Sequence, residues 1–312
     1  IAASISVDGN VVFSGIATVG KFGKPGIAFT DTNVKVGNTA LDSVTTGTQN
    51  TAVGDAALTA NTTGAKNTAL GSNALDANTT GAQNVGLGRN ALGANTTGGD
   101  NVSVGTGALG ANTTASNNTA VGHGALTSNT TGNNQVAVGS NALDANTTGL
   151  YNTAVGSAAL TSSTDGNNNV AIGYQALDSN VSGSDSVAVG KGALQAFTGS
   201  GSVGGSVGVG RDALYSLTTG ESHVAIGENA GYSVTTGNNT VAIGKLALYA
   251  NTGNDNTAVG HQTLQANTTG TNNVAVGRDA LNDNTTGARN TAVGANALDA
   301  NSTGNYNVAL GY

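Results

Sequence analysis

Residues 50–64 read Asn-Thr-Ala-Val-Gly-Asp-Ala-Ala-Leu-Thr-Ala-Asn-Thr-Thr-Gly, and versions of this line fill almost the whole chain. Its glycine, Gly54, returns 17 residues later as Gly71, and then as Gly88, Gly105, Gly122, Gly139, Gly156, Gly173 and Gly190. The series starts at Gly37 and runs on through Gly210, Gly227, Gly244, Gly260, Gly277 and Gly294 to Gly311. A fixed period this short marks a solenoid, in which each repeat is one turn and touches only its neighbours. The fold class expected is all-β: a parallel β-solenoid or β-roll of about 17 turns over residues 34–312. Residues 1–33 are left as a β lead-in or cap segment, and the turns between about 190 and 260 are irregular. Stacked at about 4.8 Å per turn, such a rod is ~80 Å long.

The residue before the repeated glycine is always Val, Ile or Leu, and the residue three before it is always Val or Thr. Branched residues two apart read as a strand with that pair on one face. The pair is expected inward, with the small residue between them (Ala52, Gly86, Ser103) pointing the other way. Ala-Leu, as at Ala57-Leu58, reads as a second short strand with Leu inward. Asn-Thr-Thr-Gly, as at residues 61–64, reads as a bend, since Asn and Gly tolerate turn conformations. The Asn four before the glycine (Asn50, Asn67, Asn84, Asn101, Asn118) is expected to form a hydrogen-bonded ladder inside the stack.

Composition narrows the functions. The net charge of −7 argues against a nucleic-acid partner, which needs a basic stripe. No apolar run is long enough to span a membrane, so no membrane insertion is expected in this segment. Cysteine is absent, which removes disulfides and thiolate metal sites. The chain begins at Ile1 without an initiator Met and stops inside a repeat at Tyr312, so both ends are expected to be cuts from a longer protein.

Each turn offers little apolar material, and two strands leave a core without a third wall. A parallel homotrimer, with the apolar strand faces meeting at its axis, is therefore expected. The competing arrangement is a single-chain triangular β-helix, which favours inward residues six apart, whereas Val and Leu here are five apart.

Asn-Thr-Ala-Val-Gly-x-x-Ala-Leu, with Val170-Ala171-Ile172-Gly173 and Val241-Ala242-Ile243-Gly244 as its nearest forms, resembles the head repeats of YadA-like trimeric autotransporter adhesins. It is also similar to repeats in bacteriophage tail fibres, marine phages especially. Residues 9–18, Gly-Asn-Val-Val-Phe-Ser-Gly-Ile-Ala-Thr, look like the short β repeats that precede such arrays. The resemblance implies a trimeric, parallel, left-handed β-roll on a cell or virion surface. It departs in its 17-residue period, which is longer than usual in the adhesin heads.

No catalytic set or phosphate loop stands out, and neither an enzyme nor a cofactor is expected. A polysaccharide lyase would need a carboxylate or basic cluster in a groove. Tyr215, Tyr232 and Tyr249 fall at one repeat position on three consecutive turns, where other turns carry mostly Asp, Thr, Gly or Gln. They are expected to be exposed, either as a patch for a host-surface glycan or protein receptor or as a stiffening aromatic ladder. Phe197, Leu217 and Val234 replace the bend Asn nearby and read as core packing around the irregular stretch. His123 and His261 lie eight turns apart, which disfavours a metal site within one chain. His223 stands at the ladder position, where an axial ion between three chains is a remote option. Asp42, Asp76, Asp144, Asp178 and Asp299 read as solvated edge residues rather than calcium ligands. The function expected is an extracellular or virion-surface rod for host attachment. The alternative is an ice-binding solenoid, suggested by abundant Thr, although adjacent Thr-Thr does not put both side chains on one strand face.

Overall fold

Each Thr/Val-x-Val triplet forms a three-residue strand, from β1 (Val34–Val36) and β2 (Thr51–Val53) to β10 (Val187–Val189), β11 (Val207–Val209) and β17 (Val308–Leu310). The computed structural model describes residues 32–199 and 205–312. Among them, every strand pairs in parallel with those of the adjacent turns at equivalent repeat positions, β1 and β17 with one neighbour each and the others with two. The result is an all-β parallel solenoid with a 17-residue repeat and one continuous sheet along one side. The expected lead-in segment lies almost wholly outside the described residues, and so do residues 200–204. No helix among the described residues is long and apolar enough to cross a membrane.

The faces of the strand are the reverse of the sequence expectation. The small central residue points inward: Ala52, Ala69, Ala120 and Ala137 are fully buried, while Thr51 and Val53 beside Ala52 stay partly exposed. Space decides this. At Gly86, a central strand position, an added Cβ would lie 3.3 Å from Leu75 Cδ1 and 3.2 Å from the Ala91 carbonyl. The leucine fills the interior up to the sheet, so Ala, Gly or a serine fits there and Val does not. Ser103 fits because its hydroxyl donates to the Ala108 carbonyl at 2.8 Å.

Among the described residues the expected second strand is absent. Ala57-Leu58 lies in a run of turns, in which Ala56 and Leu58 take left-handed backbone angles of φ 54° and 51°. The leucine still points inward and is fully buried. Turn-to-turn backbone bonds hold this unusual geometry, as where Leu58 N–H donates to the Ala74 carbonyl at 3.0 Å.

Asparagine completes the interior. Asn50 Nδ2 donates to the Gly64 carbonyl at 2.9 Å, and Asn50 Oδ1 accepts from the Asn67 amide of the next turn at 2.9 Å. Asn67, Asn84, Asn101 and Asn118 repeat the pattern upward. A second column, Asn61, Asn78, Asn95 and Asn112, links amide to amide at 2.8 Å per step. These side chains satisfy bend carbonyls that would otherwise be buried unpaired. They also stand where apolar side chains are lacking, so one chain closes its own core. The argument that only three chains could close it does not hold.

The irregular turns leave the sheet undisturbed. Three extra residues separate Gly190 from Gly210, yet Val187 still aligns with Val207. One residue fewer separates Gly244 from Gly260, and Val241 aligns with Thr257. Phe197, Leu217 and Val234 fill the second Asn column across this stretch, fully buried.

Candidate functional surfaces

Tyr215, Tyr232 and Tyr249 are brought together by the repeat itself, each five residues after its glycine. Their rings stack, with centroids 5.1 Å apart and planes 2° apart for the first pair, and 5.2 Å and 16° for the second. The spacing is close to the ~4.8 Å between paired strands, so the ladder needs little backbone adjustment. Because the rings cover one another, they are half-buried rather than fully exposed. Burial and the neighbouring Tyr215 and Tyr249 push the Tyr232 phenol above its usual range.

A charge ladder occupies the same three turns, one residue after each glycine. Glu228 bonds Arg211 on one side and Lys245 on the other, the latter at 3.2 Å. Next to the Tyr215 end lies an open groove of about 310 Å³, lined by Tyr174, Gln175, Lys191, Gln195, Asp212, Tyr215 and Tyr232. Tyr174 is 50% exposed. Beside the groove, burial raises the Asp178 carboxyl, and hydrogen bonds from Thr161 and Gln195 oppose the shift. Burial also raises the Asp76 carboxyl, against backbone hydrogen bonds at residues 76 and 77. Tyr174, Lys191 and Gln195 went unnoticed in the sequence. Their signal was columnar: they stand one and five residues after the glycines that precede the tyrosine turns.

A second surface spans the whole rod. On the outer sheet face the residues three and one before each glycine form two parallel columns of Val or Thr and of Val, Ile or Leu. Leu70 is 51% exposed and Ile226 42% exposed in the second column, and Val274 39% exposed in the first. They form an apolar strip outside a core that is already closed.

The histidines do not converge. His223 is fully buried in the first Asn column, with Nε2 2.6 Å from the Gly237 carbonyl and Nδ1 unpartnered. It is enclosed by its own chain and does not reach the surface, which removes the axial-ion option. Among the described residues no group of three His, Cys, Asp or Glu side chains is placed to hold a metal ion. No family model matches the chain, and neither a curated protein nor a solved structure matches it.

Proposed function

We propose that this chain is the rod segment of a homotrimeric, surface-exposed fibre used for attachment to a host, in a bacterial adhesin head or a phage tail fibre. The observation that carries this reading is the outward strip of branched side chains. A strip ~80 Å long and ~10 Å wide offers on the order of 800 Å² per chain, the size of one side of a stable interface. Three such strips facing a common axis hide their apolar side chains and leave the tyrosine ladder available for a receptor. A solenoid without a metal-binding cluster among its described residues suits a mechanical and adhesive role better than an enzymatic one.

Sedimentation is the test. The wild-type rod should run at three chain masses, and Val138→Lys together with Val155→Lys, both on the outer face, should run as a folded monomer. A wild-type monomer overturns the trimer. The ice-binding reading draws on the same strip, because Thr51, Thr68, Thr119, Thr153, Thr257 and Thr291 stand in its first column in regular register. The other positions of that column are Val, which favours a protein contact. Strong thermal hysteresis from a monomer would select ice instead.

A further inference from the structure

We infer that the groove between Tyr174 and Tyr215 is a binding site for a neutral hexopyranose unit of a glycan. This rests on the attachment reading above but not on the number of chains in the rod. The aromatic component comes first. Tyr232 has both ring faces covered by its neighbours, whereas Tyr215 ends the aromatic stack, with Gln195 at the equivalent position one turn earlier, and Tyr174 and Tyr215 both line the groove. A side chain at Gly192, in the turn below Tyr215, would project among Asp212, Gln195 and Tyr215, three residues that line the groove. A Cβ added to Gly192 would lie 3.5 Å from Tyr215 Cδ2 and 2.4 Å from Asp212 Oδ1. Most other turns carry a side chain at this position, as Gln175 and Asp212 do in the turns on either side. The missing side chain is what leaves the space between these residues open.

The polar groups suit hydroxyls. Lys191 is a donor only, Asp212 an acceptor only, and the Gln175 and Gln195 amides do both. A sugar hydroxyl also donates and accepts, so a pyranose suits all four, with its C–H groups against the tyrosine side chains that line the groove. A charged ligand would be opposed by either Lys191 or Asp212. No ion pair holds Lys191 among the described residues, and Asp212 has only a 3.9 Å contact with Arg211. The floor is rigid: Gly192 N–H donates to the Tyr174 carbonyl at 3.0 Å, and Asp212 N–H to the Lys191 carbonyl at 2.9 Å. Such preorganisation lowers the cost of binding. At about 310 Å³ the groove stands at the lower end of small-molecule sites, which run ~300–1,000 Å³, and admits about one or two sugar rings rather than a folded protein.

The test titrates the whole chain with maltotriose, cellotriose and mannotriose, followed by saturation-transfer NMR, with trigalacturonate as the charged comparison. At least one neutral trisaccharide should bind in the millimolar range or tighter, and trigalacturonate more weakly. Tyr215→Ala should weaken binding about tenfold or more. Gly192→Gln should abolish it without loss of fold, since Gln175 already occupies the equivalent position at φ 55°. Tyr151→Ala, an exposed tyrosine away from the groove, should bind as wild type. Absence of transfer to all three neutral sugars, or binding unaffected by both groove variants, overturns the inference. Tighter binding of trigalacturonate overturns its neutral specificity. Sedimentation at three chain masses beside a failed titration would sink the groove and leave the rod standing.

Discussion

At the scale of single residues, two columns of glycine do different work. Gly139 ends its strand at φ 137°, and a Cβ there would lie 2.5 Å from the Gly156 carbonyl of the next turn. Both the backbone angle and the contact exclude a side chain, and the series has no exception from Gly37 to Gly311. Gly132 also faces a neighbouring carbonyl, at 2.3 Å, but without a left-handed angle, and Ala115 already occupies the equivalent place one turn earlier. Gly139→Ala should therefore cost about 3–4 kcal/mol and Gly132→Ala about 1–2 kcal/mol. Amide hydrogen exchange over the turns on either side is the suitable measurement, because long repeat arrays do not unfold in two states. Equal losses of protection in the two variants would contradict the argument. The glycine could be read from the sequence because its two constraints leave one residue type. The leucine could be read as buried but not as left-handed, since Leu is an unfavourable choice there and only the stacked neighbours impose it. The direction of the strand could not be read at all. Alternation two residues apart looks the same from either face, and the choice falls to the volume that Leu75 and its equivalents already occupy.

At the scale of an element, the ladders replace apolar packing with paired amides, so their irregular members are informative. His223 takes the place of Asn in the first column, between Ser206 and Thr240, and its surroundings there are Ser206, Leu217, Gly237 and Thr240, none of them charged. Burial holds its imidazole below the ordinary histidine value of 6.5, against the hydrogen bond to Gly237. The unfolded chain therefore takes up the proton first as pH falls. This contribution to stability is full above about pH 6.5 and is lost progressively below it. Amide exchange protection over the turns around His223, corrected for the intrinsic pH dependence of exchange, should fall with a measurable slope between pH 7 and pH 5. His223→Asn, which restores the amide most common in the column, should flatten that slope while keeping the bond to the Gly237 carbonyl. An unchanged slope in the variant would show that the titration lies elsewhere. The first ladder was legible because its Asn recurs at one offset in turn after turn. The second, at Asn61, Asn78 and Asn95, was hidden because Asn before Thr-Thr-Gly carries an equally good turn signal. The tyrosine ladder was legible as a column, but the groove at its end was not. The groove depends on a side chain missing at Gly192, and absence in a glycine-rich sequence gives no signal.

At the scale of the whole molecule, stability is distributed along one axis, and each turn depends on its two neighbours. The irregular turns show where length can change. The stretch before Gly210 lengthens and Asn251-Thr252-Gly253 shortens, both outside the strands, and the sheet keeps its register through both. Removal of Val136–Asn152, one full repeat, should therefore join two equivalent positions and let Thr119–Val121 pair with Thr153–Val155. The expected product is a folded rod about 5 Å shorter by small-angle scattering. Its outer strip stays continuous, so under the proposed trimer it still sediments at three chain masses. Removal of Val136 alone is a smaller change with a larger effect. It shifts one strand by a single residue and turns a branched side chain into the space that holds only Ala137. That variant should lose exchange protection over at least the turns on either side, whereas removal of Thr131, which copies the short bend at Asn251-Thr252-Gly253, should keep it. If the Val136 and Thr131 deletions behaved alike, the strand would not be the element that fixes register, and the continuity of the outer strip would lose its physical basis.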